Sequence, residues 1–87
     1  MSTFYKQIAV SEQESYIFSF CDYMSIAGEL YLVFVHDKKL KAHRIKMQQK
    51  DGAWKIVNTS ELPDWILEVE AELANSISNQ QYVSKGL

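Results

Sequence analysis

Few residues in this chain combine the types and spacing that chemistry requires. His36 and His43 flank a hairpin tip expected at Lys38-Lys39, with Asp37 beside them. In that register the two imidazoles lie on a diagonal of one face, and with Asp37 they would offer a metal at most three donors. A closed zinc site uses four ligands and an open one three plus a water, so two solvent-facing hairpin histidines are the simpler expectation. Cys21 is the sole cysteine. No helix N-terminus or cationic cluster marks it for thiolate chemistry, and it reads as a small buried hydrophobe. Glu68, Glu70 and Glu72 are spaced by two, so on a helix their carboxylates diverge and form neither an acid–base pair nor a metal site. Gly28, Gly52 and Gly86 stand too far apart for a phosphate-cradling loop. No catalytic group, metal or cofactor is therefore expected.

The clearest chemical asymmetry is one of charge. The formal net charge is −2, yet Lys38, Lys39, Lys41, Arg44, Lys46, Lys50 and Lys55 hold seven of the nine basic residues against a single intervening acid, Asp51. Glu12, Glu14, Asp22, Glu29 and Asp37 precede the segment, and Glu61, Asp64, Glu68, Glu70 and Glu72 follow it. Such segregation steers charged partners. Single-strand nucleic-acid binders join cationic tracks to aromatic stacking surfaces, and Arg44, Lys46 and Lys55 are the contacts expected here, bordering Tyr31 and Tyr5. Lysines also discourage edge pairing in exposed strands, and the helix acids would oppose a polyanion unless they lie on the far side.

Elements must position these groups. Residues 4–10 read as a first strand and 11–14 as a polar turn. Residues 15–21 alternate, with Tyr16, Phe18 and Phe20 on one side and Ile17, Ser19 and Cys21 on the other. Residues 22–28 read as a loop with partly buried side chains. Leu30 to Val35 is an uninterrupted apolar run rich in aromatic and β-branched residues, the mark of a strand buried on both faces.

A two-residue turn at Lys38-Lys39 would set Phe34 opposite His43 and Leu32 opposite Ile45. A type I′ turn at Asp51-Gly52 would set Trp54 opposite Gln49 and Ile56 opposite Met47. Leu30, Leu32 and Phe34 then join Ile45, Met47, Trp54 and Ile56 on one face. Residues 61–78 carry Leu62, Trp65, Ile66, Val69, Leu73 and Ile77 at helical spacing, with Pro63 in the first turn and Ser60 upstream as a cap. The fold class is α+β: about five antiparallel strands in a meander, then one amphipathic helix on one face. Residues 1–79 form the single domain and 80–87 a flexible tail.

That arrangement predicts Tyr31, Val33 and Val35 on a sheet face with no cover from the chain itself. A second copy covering it is the first functional expectation: a small non-catalytic interaction module, homodimeric through those residues or joined to another protein. Single-stranded nucleic-acid binding through residues 38–55 is the second, and an enzyme or small-ligand binder with a pocket between helix and sheet the third. With one cysteine, no apolar leader and no run approaching the ~20 residues of a membrane helix, a soluble cytoplasmic setting without membrane contact is expected.

Overall fold

The computed structural model describes residues 3–26 and 28–86, with side chains as far as residue 80. Five antiparallel strands lie in chain order across one sheet: β1 Thr3–Ala9, β2 Ser15–Ser25, β3 Gly28–His36, β4 Ala42–Lys50 and β5 Ala53–Ile56. A 3-10 turn at Thr59–Glu61 leads to a short helix, α1 Asp64–Leu67, and then to α2 Glu70–Gly86. The α+β meander with a C-terminal helical layer is thus the architecture. Among the described residues, no helix is long and apolar enough to cross a membrane.

One face of the sheet is packed against the helices. Phe18, Phe20, Val33, Ile45 and Met47 are fully buried there, together with Tyr31, Val35, Trp54 and Ile56. Ile66, Val69, Leu73 and Ile77 bury the facing helical stripe, at the steps expected of an amphipathic helix. At β5, the outer edge of the sheet, the outward N–H of Ile56 donates to Glu70 Oε2 at 2.9 Å, so a side chain from α2 satisfies an edge amide.

The β4–β5 hairpin has the expected register, with Met47 opposite Ile56 and Gln49 opposite Trp54, and Asp51 and Gly52 take the positive φ of their turn (53° and 84°). The β3–β4 hairpin does not. Val33, and not Leu32, stands opposite Ile45, and Val35 opposite His43. The loop explains the difference. Asp37 and Lys41 close a three-residue tip, with Asp37 N–H donating to the Lys41 carbonyl (3.0 Å) and Leu40 N–H to the Asp37 carbonyl (2.8 Å). Leu40 adopts φ 64°, the left-handed position that follows a type I turn in three-residue hairpins. Asp37 Oδ1 also accepts the N–H groups of Lys39 (2.9 Å) and Lys41 (3.0 Å), which favours this turn over a two-residue one.

One extra loop residue shifts the register by one and turns β3 over. Tyr31, Val33 and Val35, expected on the open face, are 4%, 0% and 1% exposed beneath the helical layer, and Leu30, Leu32 and Phe34 point to the opposite face, where Leu30 is buried, Leu32 half-buried and Phe34 exposed. Tyr31 packs edge-on against Trp54 at 5.2 Å. These residues are core of a single chain and are unavailable to a second copy.

Two further expectations are corrected. Asp22 to Ser25 continue β2 instead of looping, and Ser25 already pairs with Gly28 across the tip, where Ile26 is fully exposed. The continuous helix over 61–78 is interrupted: Val69 N–H bonds back three residues to the Ile66 carbonyl (3.1 Å) before regular pairing resumes with Leu73 N–H to the Val69 carbonyl (3.0 Å). Pro63 stands at the N-cap of α1 in an extended conformation, and Ser60 lies inside the 3-10 turn with no capping bond. The backbone of α2 reaches Gly86, beyond the expected end at 78. The expected flexible tail over 80–87 falls almost wholly on side chains outside the described residues.

Candidate nucleic-acid interface

The face of the sheet opposite the helices has no cover from the described residues. By register it presents Tyr5 from β1, Ile17, Ser19 and Cys21 from β2, Leu32 and Phe34 from β3, Arg44, Lys46 and Lys50 from β4, and Lys55 from β5. Tyr5 is 70% exposed, Ile17 62% and Phe34 39%. Alternation marks β2 and the Asp51-Gly52 turn ties β5 to β4, so Ile17, Ser19 and Cys21 stand where expected and so do Arg44, Lys46 and Lys55. Only the central strand, β3, is inverted relative to the expected register.

Its charge distribution is one-sided. No strand position on this face holds Asp or Glu. Among the described residues, none of Arg44, Lys46, Lys50 and Lys55 is paired with a carboxylate. Asp64, Glu68, Glu70 and Glu72 belong to the helical layer behind the sheet. Asp22 pairs in register with buried Tyr31, and so also points to the helical side. Glu61 shares a shallow cleft with Arg44 near the start of β4, and Asp51 follows Lys50 in the β4–β5 turn. The acids that would oppose a polyanion therefore lie mostly behind the plane of the sheet.

The backbone beneath the cations is pinned by Asn58. Lys46 N–H donates to Asn58 Oδ1 and Asn58 Nδ2 donates to the Arg44 carbonyl, both at 2.9 Å. With Val57 N–H donating to the Lys46 carbonyl (2.9 Å), the amide side chain prolongs the β5 ladder past its last strand residue. Arg44 and Lys46 are thereby held on a regular strand instead of a fraying edge.

The histidines do not pair. His43 is on the helix-facing side and His36 on the open one. His43 Nε2 lies 3.1 Å from Asp37 Oδ2, and its ring meets Trp65 edge-on at 5.5 Å; it is half-buried where a solvent-facing imidazole was expected. Beside it a cleft of about 400 Å³ opens between the two hairpin loops and α1, with Ser11, Glu14, Tyr16, Asp37 and Trp65 in its wall. Ser11 Oγ accepts the N–H groups of Gln13 (3.3 Å) and Glu14 (3.1 Å), and Cys21 is on the opposite face, so no nucleophile is set against the Asp37–His43 pair. Among the described residues, no group of three or more His, Cys, Asp or Glu side chains converges.

The Asp37 carboxyl is held below its ordinary value, chiefly by the bond to His43 and then by the Lys41 N–H, with the Lys39 N–H adding to these against the opposing effect of burial. A carboxyl depressed in the folded state stabilises it above the unfolded value of about 4, and that contribution is lost as the pH falls through the folded value. Urea midpoints taken from pH 5 down to pH 2 are expected to fall less steeply for Asp37→Asn than for the native chain. Parallel curves would show that the pair contributes no acid sensitivity.

Comparison with family models, curated proteins and solved structures finds no match.

Proposed function

We propose that the chain is a non-catalytic binding module whose working surface is the open sheet face and whose partner is single-stranded nucleic acid. The observation that carries this is the face's composition: Arg44, Lys46, Lys50 and Lys55 beside exposed Tyr5 and Phe34, without a carboxylate on any strand position of that side. A strand's phosphates require unpaired cations, and its unstacked bases require aromatic or apolar ground; a sheet offers both on one flat surface. A duplex would offer its phosphates without its base faces, leaving Tyr5, Ile17 and Phe34 unused.

Self-association through the same face is the second reading, favoured by the exposure of Ile17 and Phe34. It fits less well because a two-fold interface must complement itself, and this face holds no acid to receive its partner's cations. Nor does it any longer involve Tyr31, Val33 or Val35.

The test is fluorescence anisotropy of a labelled oligothymidylate titrated with the protein at rising salt, alongside the solution mass of the protein alone. Salt-sensitive binding by a monomer is expected. A salt-indifferent dimer that ignores the oligonucleotide would transfer the face to self-association.

A further inference from the structure

The open face has one row unlike its neighbours. Tyr5 stands directly opposite Ser19, Ser19 opposite Phe34, and Phe34 opposite Arg44, so a single line across four strands reads aromatic, small, aromatic, cationic. Of the rows on either side, Thr3, Cys21, Leu32 and Lys46 carry no ring, and Gln7, Ile17, His36 and Ala42 carry only the His36 imidazole, so neither sets two aromatic rings across a small residue. Adjacent strands lie about 4.8 Å apart, which places the backbones beneath Tyr5 and Phe34 about 9.6 Å apart with only a hydroxymethyl group between them. A planar group held between two rings at van der Waals contact needs them about 7–8 Å apart. Modest leaning of the two side chains closes the difference.

We infer that Tyr5 and Phe34 are the walls, and Ser19 the floor, of a slot that takes one base of a single strand, with Arg44 holding the phosphate where the strand leaves it. This rests on the reading of the open face given above and adds where a base sits. The surroundings suit that occupant. Tyr5, Ser19 and Phe34 line a shallow concavity of about 610 Å³ whose wall also includes Ser15, Ile17 and His36, and Arg44 stands beyond its β3 edge by register. The Ser19 hydroxyl has no hydrogen-bond partner among the described residues and is available to a base edge. Ser15 Oγ is already bonded to Gln7 Nε2 at 2.7 Å and serves as fixed framework. The cations line the β4 side of the row only, so the phosphodiester chain runs along β4 while bases lie back across β3 toward β1.

The experiment compares the native protein with Phe34→Ala, Ser19→Leu and Phe34→Trp, each checked for native circular dichroism, against oligothymidylate and against an abasic strand of equal length. Removing a ring or filling the floor is expected to weaken oligothymidylate binding by about 5- to 150-fold, the usual range for one stacked base. The slope of affinity against salt should stay unchanged, and binding of the abasic strand should not move. Phe34→Trp should retain affinity, and its added indole emission should be quenched by the strand. Native affinity in both Phe34→Ala and Ser19→Leu, with salt-sensitive binding intact, would overturn the slot while leaving the charged face standing. Absence of any oligonucleotide binding by the native protein would overturn both. A native protein that is dimeric and becomes monomeric in Phe34→Ala would assign the row to self-association.

Discussion

Val33→Asp is expected to abolish the folded state, while Phe34→Asp, one residue along the same strand, leaves it nearly intact. Val33 is fully buried between Phe20 and Ile45, its cross-strand neighbours, beneath the helical layer. Replacing it removes about 1.5–3 kcal/mol of apolar burial and places an unpaired carboxylate in the core, at several kcal/mol more. Together these approach the whole stability of a domain this size, about 4–13 kcal/mol. Phe34 is 39% exposed with Arg44 opposite, so a carboxylate there meets water and a cation, and the loss should be about 1 kcal/mol. Thermal unfolding followed by circular dichroism decides between the two faces. If Val33→Asp folds and Phe34→Asp does not, β3 is inverted and the working surface has been assigned to the wrong side.

The second large effect concerns affinity. Four cations engaging four phosphates of a single strand give a slope of about −3 for log affinity against log salt, or roughly a 50-fold loss between about 50 and 200 mM. Replacing Arg44, Lys46 and Lys55 together by glutamine leaves Lys50 alone on the track. The slope should fall to about −1 and affinity at about 50 mM salt by 100-fold or more. All three side chains point away from the core, so the variant should keep the native unfolding midpoint within a few degrees. Unchanged affinity would remove these residues from any interface with a polyanion.

What the sequence made legible follows from where alternation was strong. Tyr16, Phe18 and Phe20 against Ile17, Ser19 and Cys21 assigned the faces of β2 without help from any turn. Asp51-Gly52 fixed β5, because few other pairs accept positive φ twice in succession. The stripe from Ile66 to Ile77 likewise marked the helical layer. β3 resisted because both its faces are apolar, so period two carries no information and the register depends wholly on the adjoining loop. That loop places a leucine at a left-handed φ, a position where glycine or asparagine would have announced it. The same inversion hid the candidate site. Phe34 stands in line with Tyr5 and Arg44 only in the observed register of β3, whereas the basic residues on β4 and β5 face the same side in either register. Asn58 as a clamp on β4 had no local signal, since its partners lie fourteen and twelve residues back in the chain.

The most direct measurement is an amide chemical-shift titration of the isotope-labelled protein with unlabelled oligothymidylate. The amides of Tyr5, Ser19, Phe34, Arg44, Lys46 and Lys55 are expected to move together in one saturable process, while those of Ala71 and Ser78, exposed on α2 away from β1, stay fixed. Shifts confined to the helical layer, or none at millimolar oligonucleotide, would contradict the assignment of the open sheet face as a nucleic-acid surface.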